Sequence, residues 1–523
     1  MTYSPGARRD TKTVIPAVYG GSMFAKVSSV AVVGMDARPV DVEIDIGQGL
    51  PDFHVVGLPS AAVKESPRRV KAAVNNSGQK FPQRRVTASL APGDLRKEGV
   101  LFDLPLAIGV LAAVGDLKFP ALDRYGLVGE LALDGNLRPV RGALAAALAA
   151  RDQGWEGLVV PRANLAEAGL VSGINVVGAS NLAEAIDFLG GGLTPSPAGR
   201  VSVAELLGSS AYCGPDLSEV RGQAHAVRAL EIAAAGSHNL LLVGPPGCGK
   251  TMMAQRLPGI LPPLTEQEAL EATRVWSVAG MLAPEQALIV ERPFRAPHHH
   301  ASAAAIIGGG SYLPRPGEIS LAHRGVLFLD ELPLFSRPVL EALRQPLEEG
   351  SVRVVRQATR VEYPAAFCLV AAANLCLCQG AGGAAGQCIC PAGRLDSYRS
   401  KLSGPLLDRI DLQVEVPRLT QDELFDLEPA EPSALVRDRV ILARAFRARR
   451  LEAGAAATGL IDLQPQARQF LRRAGASMDT SARGMDRVVR VARSIADLDA
   501  SEEIGEQHLA EALQYRRPVW GAQ

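Results

Sequence analysis

The first part of the chain alternates short apolar strands with apolar helices. Polar and apolar residues alternate cleanly over 40–46, a period of two that is typical of a half-buried strand. Similar patterns predict strands at 25–33, 53–56, 84–90, 127–133 and 157–160, and helices at 60–75, 104–114 and 144–151. This mixture predicts an α+β or α/β domain over residues 23–189. Residues 1–22 are polar and have no period, which predicts a disordered tail. Met23, where the pattern begins, is a candidate translation start.

Three apolar runs in the middle of the chain each end in polar residues. They span 239–243, 325–329 and 367–373. A glycine-rich stretch follows the first run, Asp330 and Glu331 follow the second, and Asn374 follows the third. Such runs predict buried parallel strands, whose carboxyl ends are where α/β sheets bind ligands. We therefore predict a ligand-binding domain over 216–425, joined to the first domain by a linker over 190–215 that begins with glycine and proline.

Only helical patterns remain after a short acidic linker at 427–432. They are rich in alanine and arginine and predict a small helical domain over 426–523, with breaks near Ala474-Gly475 and 478–480.

The composition limits the possible functions. The chain has 523 residues, enough for about three domains of ordinary size. Lys and Arg total 55, equal to Asp and Glu, so any contact with DNA must come from a local patch. Aromatic residues make up only 5%, which argues against stacking platforms for single strands. No run of eighteen apolar residues predicts a membrane span, and no signal-peptide pattern is visible, so a cytoplasmic protein is expected.

The glycine-rich stretch has the pattern of a phosphate-binding loop. Strand, loop and helix follow one another as such a loop requires, because its backbone N–H groups surround a polyphosphate at the helix N-terminus. The predicted nucleotide-binding residues are Gly244, Pro245, Pro246, Gly247, Cys248, Gly249, Lys250 and Thr251.

The three strand ends together predict ATP hydrolysis with Mg²⁺. Lys250 would reach the β- and γ-phosphates, and Thr251 and Asp330 would hold the metal ion. Glu331 would polarise the attacking water, and Asn374 would contact the γ-phosphate or that water. ATP and Mg²⁺ are therefore the predicted cofactors.

Several longer motifs resemble one family. They are Val56-Gly-Leu-Pro, Arg292-Pro-Phe-Arg-Ala-Pro-His-His299, Pro316-Gly-Glu-Ile-Ser-Leu-Ala-His323, Leu402-Ser-Gly-Pro-Leu-Leu-Asp-Arg-Ile-Asp411 and Val489-Arg-Val-Ala-Arg-Ser-Ile-Ala-Asp497. With them, residues 23–517 resemble the Mg-chelatase-like AAA+ ATPases of the YifB/ComM type. The resemblance implies a Lon-protease-like α+β N-terminal domain, an AAA+ core with a parallel sheet, a C-terminal helical lid and a homo-hexameric ring. It also implies action on branched or single-stranded DNA during recombination, as a helicase or branch-migration motor. A related alternative is a protein-remodelling chaperone.

The resemblance also implies roles for two arginines. Arg409 matches the arginine finger that faces a neighbour's nucleotide; the alternative is an ion pair with Asp408 or Asp411. Arg483 matches the second-sensor position, and Arg487, one turn further on, is its rival.

The N-terminal domain departs from the Lon pattern at its catalytic positions. Asp103 stands near where the serine of a Ser–Lys dyad belongs, and the helix at 143–150 has no lysine. We therefore predict no peptidase activity.

Four cysteines lie close together in the sequence, in the loop that follows the third apolar strand. Cys376 and Cys378 form one pair, and Cys388 and Cys390 the other. Four thiolates can hold Zn²⁺ tetrahedrally, but one residue separates each pair where two are usual, and a loop of free thiols is the alternative.

Two further clusters are candidates for other roles. The adjacent His298, His299 and His300 look like a metal cluster, but neighbours in sequence do not easily face one ion. The family resemblance implies instead that this stretch is a loop directed at the ring's pore, and we favour that interpretation. A hairpin near 350–362 carries three arginines that would grip DNA phosphates, unless they only solvate the hairpin: Arg353, Arg356 and Arg360.

Overall fold

The computed structural model describes most of the chain in three parts. The described residues are 23–192, 202–209, 212–283, 286–310, 314–356, 359–378, 388, 390–402, 404–419, 428–453, 463–478 and 482–516. The predicted tail at 1–22 lies outside them.

The N-terminal part contains a four-stranded sheet and a three-stranded parallel sheet around one core. Its strands are β1 Met23–Val33, β2 Asp36–Gly47, β3 Asp52–Val56, β4 Arg85–Ala91, β5 Tyr125–Leu127, β6 Glu130–Leu131, β7 Leu137–Arg138, β8 Gly157–Pro161 and β9 Asn175–Ala179. Its helices are α1 Ala61–Lys64, α2 Ser66–Asn76, α3 Asp103–Val114, α4 Ala143–Asp152, α5 Leu165–Ala168 and α6 Leu182–Leu189. The sheet orders are β1-β2-β4-β3 and β5-β8-β9, and helix α3 packs on β1 and β2.

The middle part contains a five-stranded parallel sheet. Its strands are β10 Leu240–Val243, β11 Phe294–Arg295, β12 Gly308–Gly309, β13 Arg315–Pro316, β14 Val326–Leu329, β15 Ser351–Arg356, β16 Thr359–Pro364, β17 Cys368–Ala373 and β18 Leu412–Glu415. Its helices are α7 Val203–Gly208, α8 Ala224–Gly236, α9 Lys250–Ile260, α10 Glu266–Ala279, α11 Ala303–Ile307, α12 Glu318–Leu321, α13 Arg337–Ala342, α14 Arg344–Glu349, α15 Ala392–Ser400 and α16 Gly404–Leu407. The central sheet has the order β11-β14-β17-β10-β18 with every neighbouring pair parallel.

Both faces of this sheet are covered, which explains its continuous apolar strands. Leu240 and Leu242 belong to one hydrophobic core, whereas Leu241 and Val243 belong to another on the opposite face. Because side chains alternate across a strand, a strand buried on two sides must be apolar at every position. The three strands predicted from apolar runs are confirmed within one residue at their ends.

The described residues of the C-terminal part form four helices, α17 Ser433–Glu452, α18 Pro465–Met478, α19 Ala482–Leu498 and α20 Glu506–Gln514. Helices α17 and α19 pack against α8, and α17 also packs against α9. Val440, Val488 and Ile495 contribute to the same hydrophobic core as Leu240. The C-terminal helices are therefore joined to one face of the central sheet.

The N-terminal and middle parts contact each other through helix α10. Arg274 Nε donates a hydrogen bond to the carbonyl of Met35 at 2.7 Å, and Arg274 also pairs with Asp36. The N–H of Gly142, just before α4, donates to the carbonyl of Ser277 at 3.2 Å.

Two elements of the N-terminal part that were predicted to be continuous are each divided in two. The helix predicted at 60–75 is two helices that meet at Glu65, where Pro67 in the first turn of α2 lacks an N–H to continue α1. The strand predicted at 127–133 is divided between β5 and β6, because Glu130–Leu131 leaves the first sheet and pairs with Leu137–Arg138.

One predicted break is also wrong, and the predicted linker contains a helix. The linker predicted at 190–215 contains helix α7, whose Ser202 and Glu205 form a capping box. Helix α18 continues through Ala474-Gly475, and Ala474 packs against the hydrophobic core instead of ending the helix.

Candidate functional site

The phosphate-binding loop joins β10 to α9 at the carboxyl edge of the central sheet. Gly247 and Gly249 have φ of 77° and 92°, a left-handed conformation that favours glycine. Gly244 lies against the residue that follows β18, where a Cβ would sit 2.2 Å from the carbonyl oxygen of Val416. Helix α9 begins at Lys250, within the glycine-rich stretch. These glycines let the loop bring its N–H groups to the N-terminus of α9.

Lys250 is buried, and its side chain folds back to bind carbonyl oxygens of the phosphate-binding loop. Its Nζ donates to the carbonyls of Gly244 at 2.9 Å and Pro245 at 2.7 Å, and to Asn374 Oδ1 at 3.1 Å. It also contacts Cys248 Sγ at 3.5 Å. Strand β17 therefore brings the predicted sensor Asn374 to the predicted phosphate-binding lysine.

Asp330 and Thr251 meet as the sequence predicts for a magnesium site. Thr251 Oγ1 donates to Asp330 Oδ2 at 2.8 Å on the exposed side of the loop. Asp330 Oδ1 accepts a hydrogen bond from the N–H of Glu331 at 2.9 Å. Hydroxyl and carboxylate oxygens are the ligands that Mg²⁺ prefers, so this pair fits that ion.

Glu331 contacts a histidine that sequence reasoning did not assign to this site. Its backbone has φ of 52°, a left-handed conformation that is rare outside glycine. Glu331 Oε2 lies 3.3 Å from Nδ1 of His299. His299 follows the edge strand β11 as Glu331 follows β14, so both side chains reach the same edge of the sheet. Strand β11 has only two residues, too few for an apolar pattern to reveal it.

Tyr398 supports the sensor asparagine and was also missed. Its hydroxyl donates to the carbonyl of Asn374 at 3.1 Å, and burial raises the pKa of Tyr398 to about 12. The residue lies on α15, which follows the cysteine loop, and no local pattern connects it with β17.

Arg409 lies at the end of the sheet opposite to the phosphate-binding loop. It precedes β18, whose other end, Glu415, is level with Val243 at the start of the loop. Its guanidinium pairs with Glu348 at 2.6 Å. Arg409 therefore forms an ion pair, as the alternative predicted, but the partner is Glu348 on α14 and not Asp408 or Asp411.

The two sensor candidates on helix α19 have different surroundings. Arg483 is exposed, and within the described residues no hydrogen bond or ion pair joins it to the phosphate-binding loop. Arg487 Nη1 lies 2.9 Å from Asp411 Oδ1, again at the end of the sheet opposite to that loop. Arg487 lines a cavity of about 620 Å³ together with Arg444 and Arg493. Arg487 is therefore engaged away from the nucleotide site of its own chain in this conformation.

The four cysteines come together as the sequence predicts. Cys376 Sγ lies 3.4 Å from Cys378 Sγ, which lies 3.7 Å from Cys388 Sγ. The N–H of Cys378 contacts Cys390 Sγ at 3.3 Å, and all four sulfurs lie within 4.8 Å of one another. Residues 379–387 and 389 lie outside the described residues.

The three histidines also come together, which contradicts the sequence argument against a cluster. One ring nitrogen from each of His298, His299 and His300 lies within 4.8 Å of the others. Their ring centroids are separated by 4.1, 4.4 and 5.1 Å. A turn at 299–300 folds the rings onto one side, so adjacency in sequence does not keep them apart.

The arginine hairpin forms, but one of its charges is already paired. Arg353 Nε lies 3.1 Å from Glu362 Oε2, and Arg353 Nη2 lies 3.7 Å from Glu349. Arg360 is exposed on the facing strand, and the side chain of Arg356 lies outside the described residues.

Asp103 has a structural environment in the N-terminal part. It is fully buried at the start of α3, and Arg69 reaches both of its carboxylate oxygens, at 2.7 and 3.0 Å. A carboxylate closed off in this way leaves no nucleophile where the Lon pattern has its serine.

Comparisons with known proteins cover nearly the whole chain. Residues 42–164 match the family described as subunit ChlI of Mg-chelatase, residues 216–424 match magnesium chelatase, subunit ChlI, and residues 430–516 match its C-terminal family. The chain is 43% identical over 505 residues to competence protein ComM of Haemophilus influenzae, covering 95% of this chain and 98% of that protein. It is 43% identical over 500 residues to the uncharacterised protein YifB of Escherichia coli, covering 93% and 96%. An uncharacterised protein of Mycobacterium tuberculosis is 46% identical over 504 residues, covering 94% and 99%. None of the helices in the described ranges is long and apolar enough to cross a membrane.

Proposed function

The chain belongs to the YifB/ComM family of Mg-chelatase-like AAA+ ATPases, and on that premise we propose that it is a cytoplasmic, hexameric motor that moves branched or single-stranded DNA with the energy of ATP hydrolysis. The observation that carries this proposal is the meeting of Thr251, Asp330 and Glu331 beside the phosphate-binding loop.

Lys250 and Asn374 would bind the substrate phosphates. Lys250 would exchange the carbonyls of Gly244 and Pro245 for oxygens of ATP, because a phosphate attracts an ammonium more strongly than a neutral carbonyl does. Asn374, released from Lys250 at the same time, would be free to contact the γ-phosphate or the attacking water.

Glu331 would act as the general base. Its side chain is 31% exposed, so water can reach it, and it stands next to the residue that would hold the metal ion. Thr251 and Asp330 would hold Mg²⁺, which would offset the charge of the phosphates when bound.

The position of Arg409 supports assembly into a ring. Strand β18 separates it from the phosphate-binding loop by four residues, about 13 Å of strand. Since Arg409 cannot reach Lys250 of its own chain in this arrangement, it would serve as an arginine finger only for a neighbouring subunit. Arg483 would likewise sense a neighbour's nucleotide.

DNA is the proposed substrate of the motor because one relative is named a competence protein and because the hairpin presents Arg360 at its surface. The pairing of Arg353 with Glu362 favours the second candidate, a protein-remodelling ATPase, since a neutralised hairpin grips phosphates poorly. The non-proteolytic N-terminal domain would serve as a scaffold in either case.

We also propose that the cysteine cluster holds zinc. Tetrahedral zinc with Zn–S bonds of about 2.3 Å separates its sulfurs by about 3.8 Å. The separations of 3.4 and 3.7 Å are close to that value without any rearrangement. Metal analysis of protein purified without chelators should find zinc in the parent, and one zinc per chain fewer in a Cys376→Ser, Cys388→Ser variant; a zinc-free parent refutes this assignment.

ATP turnover in the presence of DNA tests the motor. A four-way junction should raise the ATPase rate of the parent, and this stimulation should decline steeply with salt because phosphate contacts release counterions. Glu331→Gln should bind ATP normally but lose hydrolysis. If Glu331→Gln turns over ATP at the parental rate, Glu331 is not the base.

The hairpin variants separate the two candidate functions. Replacing Arg353, Arg356 and Arg360 with alanine should abolish DNA stimulation and leave basal ATPase intact. A matched control replaces the exposed Arg472 and Arg473 of helix α18 with alanine and should preserve both rates. A parent that binds no DNA at low salt refutes the motor and leaves protein remodelling as the function.

A further inference from the structure

The cluster of His298, His299 and His300 has the chemistry of a transition-metal site. Imidazole nitrogens suit Zn²⁺, Ni²⁺ and Cu²⁺, and three histidines with an open position are a known zinc environment. One nitrogen from each ring already lies within 4.8 Å of the others. Tetrahedral zinc with Zn–N bonds of about 2.0 Å needs separations of about 3.4 Å. His298 and His300 are exposed, so rotation of their side chains can close that gap without moving the core.

One of the rings already presents a nitrogen in the form that a metal binds. Nδ1 of His298 accepts a hydrogen bond from the N–H of His300 at 3.3 Å, so that nitrogen carries a lone pair. A histidine must offer such an unprotonated nitrogen to bind a metal ion.

His299 connects this cluster with the hydrolytic carboxylate. Its Nδ1 lies 3.3 Å from Glu331 Oε2, and its ring packs edge-on against the buried Phe335 at 6.4 Å. If Nδ1 carries the hydrogen, it donates to Glu331 and leaves Nε2 with a lone pair. Carboxylate, histidine and metal in this order form the arrangement that orients most metal-binding histidines.

We propose that His298, His299 and His300 bind a divalent transition metal ion, and that this ion holds His299 Nδ1–H against Glu331 and so slows ATP hydrolysis. A metal ion on Nε2 makes the Nδ1–H a stronger donor, because it withdraws electrons from the ring. The carboxylate is then a weaker base and is less free to turn toward water. Binding of ATP is unaffected, since Lys250 and the loop are not part of the cluster. This consequence rests on the proposed role of Glu331 as the base.

Ni²⁺ binding tests the site independently of ATPase activity. The full chain first receives one equivalent of zinc, enough to fill the cysteine cluster but not the histidines, and is then titrated with Ni²⁺ by calorimetry without nucleotide. The parent should bind one Ni²⁺ per chain more than a His298→Ala, His300→Ala variant, which retains His299 and its contact with Glu331. A His54→Ala variant, which removes an exposed histidine elsewhere, should bind as the parent does. Equal binding by the parent and the double variant overturns the site.

ATPase rates at fixed free Ni²⁺ test the coupling. With Mg·ATP in excess and no DNA, saturating Ni²⁺ should lower the parental rate by about tenfold or more. The double variant should have the parental rate without Ni²⁺ and keep it when Ni²⁺ is added. Equal inhibition of both proteins, or of neither, overturns the coupling. A parent that is inactive before Ni²⁺ is added instead refutes the proposed ATPase function, and the binding titration still decides the metal site.

Discussion

Replacing Asp411 with asparagine should destabilise the ATPase core by about 2 kcal/mol at neutral pH. Asp411 is 4% exposed and joins three elements. Its Oδ2 accepts from the N–H of Asn239 at 3.0 Å, at the start of β10, and its Oδ1 lies 2.9 Å from Arg487 on helix α19. His238 Nδ1 lies 3.7 Å from Oδ2. Asparagine has the same shape and can still accept from Asn239, so the substitution removes mainly the charge.

The magnitude follows from the pKa of the carboxyl. Burial alone would raise that pKa, but hydrogen bonding and charge from His238, together with the charge of Arg487, lower it from 3.8 to about 2. Each pKa unit corresponds to about 1.36 kcal/mol, so the ionised form stabilises the fold by about 2 kcal/mol. Breaking a fully buried ion pair costs about 3–5 kcal/mol. The smaller value is expected because Arg487 is 17% exposed and can partly reach water.

The sign of the shift determines the pH dependence. A carboxyl whose pKa is lowered by folding stabilises the protein above its unfolded pKa, near 4, and loses that contribution as pH falls toward 2. The difference between the parent and Asp411→Asn should therefore be present above about pH 5.5 and shrink as pH falls toward 2. A difference that stays the same over that fall in pH would show that the charge of Asp411 is not its source.

The loss of stability can be measured by thermal unfolding, followed by tryptophan fluorescence, and by hydrogen exchange of the backbone amides of β10 and β18. A loss of about 2 kcal/mol should lower the melting temperature by about 4–8 °C for a domain of this size. Asp486→Asn, on the exposed side of the same helix, is the matched control and should melt like the parent. In a double-mutant cycle with Arg487→Gln, the two losses should be less than additive. Additive losses, or parental melting of Asp411→Asn, would refute the ion pair as the source of stability.

Three further predictions concern the nucleotide site and the chain terminus. Gly244→Ala should weaken ATP binding by about a hundredfold, because its Cβ would displace the loop from Val416 by about 1 Å. The control variant Gly393→Ala, which has open space around the added Cβ, should bind ATP normally. Equal binding of ATP by both variants would contradict the close packing of Gly244 against Val416. Mixing Arg409→Ala with Lys250→Ala subunits should restore part of the ATPase rate, because some interfaces then combine an intact loop with an intact finger; no recovery in proven mixed rings would exclude a finger acting between subunits. Removal of residues 1–22 should leave the melting temperature and the ATPase rate unchanged, and a clear fall in either would show that the tail is structural.

The sequence predicted the parts of the site that are local. The loop ending at Lys250 and Thr251 is contiguous, and Asp330 and Asn374 each follow a strand long enough to leave an apolar pattern. Parallel strands place their carboxyl ends together, so the contacts of Thr251 with Asp330 and of Lys250 with Asn374 could be expected before any coordinates.

What the sequence could not predict depends on tertiary contacts or on very short elements. His299 follows a strand of two residues, and Tyr398 reaches Asn374 across the cysteine loop. The pairing of Arg487 with Asp411 depends on where helix α19 packs, which no local pattern encodes. The helix in the supposed linker is different, because Ser202 and Glu205 carry a capping signal that composition concealed.

The cysteine loop is placed so that a zinc ion would stiffen the sensor. Cys376 follows Asn374 by two residues, and Cys390 lies two residues before the helix that carries Tyr398. A metal joining the two cysteines would therefore fix both partners of the hydrogen bond between the Tyr398 hydroxyl and the Asn374 carbonyl. Since Asn374 Oδ1 also accepts from Lys250, the restraint extends to the phosphate-binding loop. A bound zinc ion would then restrain Asn374 at the end of β17, and removal of zinc should slow hydrolysis more than it weakens ATP binding.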